Sequence, residues 1–311
     1  MSTFFEYMSL LVSIIIRARD EAVALKRLLP ILTEQKVDFD FEIWILDNES
    51  RDETTTIAQS FSTHLHTVPR NEFDYATVLN LSAKLAQGSF VVNLSAHCFP
   101  QDEFWLTNLV DPLRHNSKII ATYGRQWFNP QTSPYTAEGN DYFFPPTRQQ
   151  VQIVAFSNSN AAIRKSAILR HPFNPYIKIF EDHLFYLELS PHSLFEYVPE
   201  SLVYHEHNDF GLRYNLKRWS LEGWAFYFIL KQRGFISPFK TDRFFQLREL
   251  MGYILLTGKL CRSKRCKAGL AALPLHLLRE IMWAYGWLQG WSAHSQIAKQ
   301  DQEFLRQIRT S

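Results

Sequence analysis

Three histidines in this chain have the chemistry to hold a divalent cation: His97, His205 and His207. Neutral imidazole is a good ligand for first-row metals. Ser95 adds a hydroxyl two residues before His97, and strand alternation would put His205 and His207 on one face. A lone histidine is more often a hydrogen-bonded structural residue, so the three need a fold that gathers them. A second set carries charge: Arg17, Arg19 and Glu21 form one cluster, and Asp47 stands apart. A carboxylate can accept from a ribose hydroxyl or a base N–H, and cationic side chains can stabilise a diphosphate. The neighbours Glu181 and Asp182 could supply a general base. The plainer reading of Glu21 and of Glu181-Asp182 is acids in a first helical turn, where the helix dipole favours them.

The elements that would position these groups follow from the hydrophobic pattern. Leu10–Ile16 is a β-branched run, the look of a strand buried on both faces, with Arg17–Glu21 at its carboxyl end. Phe41–Leu46 is a second strand, ended by Asp47-Asn-Glu-Ser50, and His64–Val68 is a short third. Phe90–Leu94 is a fourth, followed by Ser95-Ala-His97, and Pro100 is expected to stop the sheet there. Helices are expected over Ala22–Gln35, from a Ser50–Glu53 capping box to about Ser60, and over Tyr75–Gln87, closed by Gly88 in a left-handed conformation. This alternation is the pattern of an α/β fold with a doubly wound, mostly parallel, Rossmann-like sheet. Right-handed crossovers put the strand-end loops on one rim. Arg17, Asp47, Ser95 and His97 should therefore share a cleft at the carboxyl ends of the strands.

Further along, the pattern predicts a helix over Asp102–Arg114, a strand over Lys118–Tyr123, a long loop over Phe128–Gln150 and a strand over Val151–Phe156. Ser157-Asn-Ser-Asn160 reads as a cap opening a helix to about Leu169. A helix starting at Phe180 and two strands, Leu194–Val198 and Leu202–His207, complete a domain of residues 1–209. From Phe210 the pattern turns helical, with segments near 210–232, 241–260 and 267–290, giving a C-terminal helical extension of residues 210–311. The last two segments are apolar and aromatic and flank Arg262, Lys264, Arg265 and Lys267. They fit either an appendage packed on the main domain or a peripheral membrane contact through the C-terminal helices. None reaches the length of a spanning helix.

Composition narrows the partners. The net charge is +2 with no long basic run, so a nucleic-acid footprint is missing. Cys98, Cys261 and Cys266 make neither a disulfide framework nor a Cys-x-x-Cys knuckle, which suits a reducing cytoplasm. No cationic stretch precedes Leu10–Ile16, so no secretory leader is expected. Neither a G-x-G-x-x-G nor a Walker loop follows the first strand, so a nucleotide would be bound without the glycine fingerprints.

The order of the motifs resembles glycosyltransferase family 2, inverting enzymes of the GT-A fold. The residues carrying it are Val12-Ser-Ile-Ile-Ile-Arg-Ala-Arg-Asp-Glu21, Ile45-Leu-Asp-Asn-Glu-Ser-Arg-Asp-Glu-Thr54, Asn80, Ala86-Gln-Gly88 with the Phe90–Pro100 stretch, Phe156-Ser-Asn-Ser-Asn-Ala-Ala-Ile163, Glu181-Asp182 and Val203-Tyr-His-Glu-His-Asn208. Within the family, the bacterial rhamnosyltransferase-like branch is the most similar. The resemblance implies a nucleotide-diphosphate sugar as donor, a glycan or lipid-linked acceptor, a place in polysaccharide biosynthesis, and Mn2+ or Mg2+ as cofactor. It implies that Arg17, Arg19, Glu21, Asp47, Asn80 and Ser95 contact the nucleotide, that Asp182 is the catalytic base, and that His205 or His207 completes the metal site with His97. Ser95-Ala-His97 occupies the place of the Asp-x-Asp metal motif, with both carboxylates missing. The related polypeptide N-acetylgalactosaminyltransferases have Asp-x-His there, which supports His97 as a ligand. The loss of carboxylates also leaves two rivals: a catalytically silent GT-A domain that binds nucleotide or glycan, and a sugar-nucleotidyltransferase, which would want a glycine-rich basic loop where Arg17–Glu21 has no glycine.

Overall fold

Strand β1, Val12–Ala18, is buried along its length except at Leu11 before it and Arg17 near its end. A strand apolar on both faces needs a neighbour on each edge and a helical layer above and below. The computed structural model describes residues 11–128, 143–150, 156–206, 212–232 and 266–310. They divide into two compact units: residues 11–128, 143–150, 156–173 and 185–206 form the first, and 174–184, 212–232 and 266–310 the second.

The first unit is built on a mixed eight-stranded sheet in the order β3-β2-β1-β4-β7-β6-β8-β5. β1, β2 (Phe41–Asp47), β3 (His64–Thr67) and β4 (Phe90–Ser95) run parallel. Helices α1 (Ala22–Thr33), α2 (Thr54–Gln59) and α3 (Tyr75–Leu85) connect them. β7 (Asn160–Arg164) enters antiparallel between β4 and β6 (Ile119–Phe128); β8 (Leu194–His205) returns parallel to β6, and β5 (Cys98–Pro100) pairs antiparallel at the edge. One face of the sheet shares a core with α1 and α4 (Trp105–His115), where Leu25, Leu28, Leu29 and Leu32 are wholly buried with Ile14 and Ile16. Each such side chain contributes about 1.5–3 kcal/mol. The other face packs Ile15, Leu46 and Val91 with α3, α5 (Lys165–Arg170) and the later turns of α6 (Glu181–Leu189). The sheet is thus of the doubly wound α/β type expected from the alternation.

Several local expectations give way to long-range packing. Ser50 does not cap α2: that helix begins at Thr54 without a side-chain cap, and the Ser50 hydroxyl accepts instead from the Asp20 N–H at 2.9 Å. Gly88 is not a left-handed cap. A Cβ there would lie 2.7 Å from the backbone carbon of Val12, so glycine is required for close approach to β1. Pro100 does not stop the sheet but sits in the edge strand β5, where its missing donor costs little. The helix expected from Ser157 to Leu169 is strand β7 followed by the short α5, because Ala161, Ala162 and Ile163 fill the buried slot between β4 and β6. The two strands expected over Leu194–Val198 and Leu202–His207 are one strand, β8, accommodated by register irregularities against β6. The helix expected over 241–260, most of the 128–150 loop and the strand over 151–155 lie outside the described residues.

In the second unit, α7 (Leu212–Tyr227) passes into a π-helical turn, Phe228–Gln232, and packs with α8 (Cys266–Ser292). α9 (His294–Thr310) follows, a helix that the sequence reading did not anticipate. Among the described residues no helix is long and apolar enough to cross a membrane.

The Gly88 contact is testable. Gly88→Ala should destabilise the protein by about 1–3 kcal/mol, because backbone rather than a flexible side chain must move. Urea unfolding would measure it, and an unchanged midpoint would remove the close approach as a constraint.

Candidate active site

The parallel register of three strands places their carboxyl ends at one level. Arg17 pairs with Ser95 of β4, and Ala18 pairs with Asp47 of β2. The loops that leave these ends are stitched together. The Arg51 N–H donates to Asp20 Oδ1 at 2.7 Å, the Glu21 N–H to Thr54 Oγ1 at 2.8 Å, and the Ala22 N–H to Asp52 Oδ2 at 3.0 Å. Two residues here hold a left-handed backbone without being glycine, Asp20 (φ 54°) and Glu49 (φ 52°). Such conformations persist where surrounding bonds over-determine them.

Asp47 is buried, and its carboxylate accepts the Ser50 N–H at 3.2 Å. Asn48 locks the loop below it, donating its N–H to the Ala18 carbonyl at 2.9 Å and its amide to the Val68 carbonyl at 3.0 Å. Arg17 lies over the Tyr75 ring, 5.2 Å from its centroid. Its Nη1 is buried and, among the described residues, has no hydrogen-bond partner. A buried guanidinium nitrogen left unmatched is costly. Arg19 is exposed. The Asn80 amide donates to the Phe173 carbonyl at 2.8 Å and its oxygen accepts the Phe173 N–H at 2.8 Å, so it tethers that segment to α3.

The histidines meet at the same rim. The rings of His97 and His205 are 5.1 Å apart and inclined at 31°. His97 directs Nδ1 to Glu21 Oε1 at 3.2 Å, and His205 directs Nδ1 to Gln126 Oε1 at 2.7 Å. β5 and β8 bring them together, since Cys98 pairs with His205 and the Glu206 N–H donates to the His97 carbonyl at 2.9 Å. Each ring is held through its Nδ1 by a side-chain oxygen, the kind of contact that orients an imidazole. Among the described residues there is no group of three or more His, Cys, Asp or Glu placed to hold a metal, and His207 lies outside them. Of the three histidines, the described residues bring His97 and His205 together. Burial pushes the Cys98 thiol far above its ordinary value, so it stays neutral and is no thiolate ligand.

Glu181 and Asp182 open α6 and belong to the second unit. The Asp182 carboxylate accepts the His183 N–H at 2.8 Å. Phe180, just before them, has φ 62°, the third left-handed non-glycine residue among those described. Its carbonyl accepts the Leu184 N–H at 3.0 Å, which starts the helix, and its ring meets Phe226 edge-on at 5.2 Å.

Two contacts at the rim carry no signal in the sequence: Glu21, a nucleotide contact by the resemblance, lies against His97, and Gln126 lies against His205. Gln126 carried no signal beyond being an inward polar residue on a buried strand. A shallow pocket of about 360 Å³ elsewhere in the first unit, lined in part by Asp111, Arg148, Glu196 and Glu200, includes none of the rim residues.

The Glycosyl transferase family 2 model matches residues 13–172, more than half of the chain. The chain belongs to glycosyl transferase family 2. The family match takes in Arg17, Asp47, Ser95 and His97 and stops before Asp182 and His205. A search of curated proteins by sequence finds no match. Among solved structures, a mannosyltransferase from Pyrobaculum calidifontis, in complex with GDP-Man and Mn2+, aligns at TM-score 0.58 and 18% identity, over 88% of this chain and 84% of its own. Glucosyl-3-phosphoglycerate synthase from Mycobacterium tuberculosis, with Mn2+, UDP and phosphoglyceric acid, aligns at TM-score 0.51 and 16% identity over 71% and 77%. Mannosyl-3-phosphoglycerate synthase from Rubrobacter xylanophilus aligns at TM-score 0.51 and 14% identity over 72% and 75%. At these identities the likeness is one of fold, and the fold of this family 2 glycosyltransferase is the GT-A fold.

His183, beside Asp182, sets an acid limit on stability. Burial lowers its pKa from 6.5 to about 4. The unfolded chain then binds the proton more tightly, so this group's contribution is complete above about pH 6.5 and is lost as pH falls toward 4. The amount is on the order of 3 kcal/mol. His183→Asn should flatten the rise in urea-unfolding free energy across that window, and an unchanged slope would show that His183 does not set it.

Proposed function

We propose that this family 2 chain transfers a sugar from a nucleotide-diphosphate sugar to a hydroxyl acceptor with inversion at the anomeric carbon. The observation that carries the reading is the buried, unmatched Nη1 of Arg17 at the shared strand-end rim. Arg17, with Arg19 nearby, supplies the positive charge a diphosphate needs. Asp47, held by its own loop, accepts from the nucleoside. Asp182 acts as general base: it takes the acceptor proton as the acceptor oxygen bonds to the anomeric carbon and the bond from that carbon to the diphosphate oxygen breaks. The electron pair leaves with the nucleoside diphosphate.

The donor set fits a divalent cation such as Mn2+ or Mg2+ of lower charge demand than an Asp-x-Asp site. His97 and His205 would hold it, with Ser95 beside them and diphosphate oxygens completing the shell. A bound cation would neutralise charge on the departing diphosphate. Glu21 and Gln126 orient the two imidazoles. We assign the transferase to residues 1–209 and a helical extension to 210–311. A glycan or lipid-linked glycan, of the kind used in polysaccharide assembly by the rhamnosyltransferase-like branch, is the acceptor class, and the setting is cytoplasmic. A second reading, binding without transfer, is favoured by the two missing carboxylates at Ser95-Ala-His97. Donor hydrolysis by the purified protein would decide against it.

Asp182→Asn should retain donor binding in a thermal-shift screen of nucleotide sugars and lower turnover about 100- to 10,000-fold. Near-wild-type turnover would remove Asp182 as the base. Glu21→Ala and His97→Ala should weaken Mn2+-dependent donor affinity, the first by about 10- to 100-fold, as expected for a lost ligand orienter. Donor affinity and activity that ignore a chelator in the parent protein would exclude the cation.

A further inference from the structure

Helix α8 has two faces of opposite character. Its inner face packs on α7 at backbone distance. A Cβ on Gly223 would fall 1.9 Å from the Trp283 carbonyl oxygen, and one on Gly286 would fall 1.8 Å from that of Ser220. A Cβ on Gly290 would fall 2.7 Å from the Tyr227 ring, and Trp287 meets that ring edge-on at 5.3 Å. These contacts leave α8 no freedom to rotate, and so they decide which residues point outward.

The outward residues are Leu277, Ile281, Tyr285, Leu288 and Trp291, spaced at three and four along the helix, with Ala284 between them. Trp291 is 68% exposed, Leu288 59% and Ile281 56%. The charged residues in this span, Arg279 and Glu280, are half-buried and off the stripe. Water-facing surfaces rarely keep an apolar stripe of this length without a purpose. Among the described residues, Gln289 and Ser292 are the polar side chains beside it. Arg262, Lys264, Arg265 and Lys267 precede or open the helix in sequence, a cluster that suits anionic headgroups.

We propose that this face of α8 seats the protein on the surface of an anionic lipid bilayer. Leu277, Ile281 and Leu288 lie at the acyl boundary, and Tyr285 and Trp291 lie at the headgroup level that amphipathic rings favour. The helix rests on the membrane and does not span it. The inference stands independently of the transfer chemistry above, and its test reads no turnover.

The test is co-sedimentation of the full chain with phosphatidylcholine vesicles, with and without phosphatidylglycerol. The wild type should sediment with the anionic vesicles and lose most of that binding in high salt. The double variant Ile281→Glu, Leu288→Glu should bind roughly ten-fold more weakly or worse, with an unchanged melting temperature, since both side chains are exposed. No vesicle binding by the wild type, or equal binding by the variant, overturns the proposal. A wild-type dimer in light scattering that the variant abolishes, without vesicle binding, would assign the stripe to a second copy of this chain and equally overturn it.

Discussion

The site depends on the parallel register of β1 with β2 on one side and β4 on the other. That register sets Ala18 against Asp47 and Arg17 against Ser95, so three loops leave the sheet at one level. Because side chains alternate with a period of two, a slip of one residue would exchange the buried and functional faces of β1 together. The register is held twice over. Ile14, Ile15 and Ile16 are buried on both faces, and the Asp20, Glu21 and Ala22 N–H groups are each taken by a side chain from the loop after β2 or from Thr54, which opens α2. Those bonds offset the strain of left-handed backbone at Asp20 and Glu49, which costs on the order of 1–3 kcal/mol per residue.

A rim assembled this way is unusual in where it puts charge. Ser95-Ala-His97 offers no carboxylate; of the acids at the rim, Glu21 contacts His97 and Asp47 accepts the Ser50 N–H of its own loop. Beside them lie a guanidinium with a buried nitrogen that has no hydrogen-bond partner among the described residues and a pair of imidazoles anchored through Nδ1. Cys98, the most nucleophilic atom type nearby, is kept neutral by burial. Such a site suits an anionic ligand that brings its own oxygens to any cation. A site of two or three carboxylates would depend on the cation to make anion binding tolerable.

The second unit follows a different logic. Glycines bring α7 and α8 to backbone contact, and stacked tryptophans fill what glycine leaves open, Trp283 and Trp287 lying 5.5 Å apart. A helix pair locked by close approach cannot turn its other face inward, which is why an apolar stripe remains exposed. In the same unit, His183 is buried without charge while Asp182 beside it caps the helix backbone.

Much of the parallel half-sheet and its rim was legible in the sequence. The strands β1, β2 and β4 announce themselves as apolar runs, and the residues after each run are those found at the rim. The errors came where a local signal competed with a distant partner. Ser157-Asn-Ser-Asn160 reads as a helix cap, but Ala161–Ile163 is drawn into the sheet by β4 and β6 on either side. Ser50 reads as a cap and is claimed by Asp20, thirty residues away. The pairings Glu21 with His97 and Gln126 with His205 span 76 and 79 residues, beyond the reach of any periodicity. The sequence by itself determined which segments must be buried and therefore which loops gather at the strand ends, because burial is a property of each segment's own side chains. Only the tertiary structure decided which polar groups face one another across those loops, because a hydrogen-bond partner is chosen by position in space.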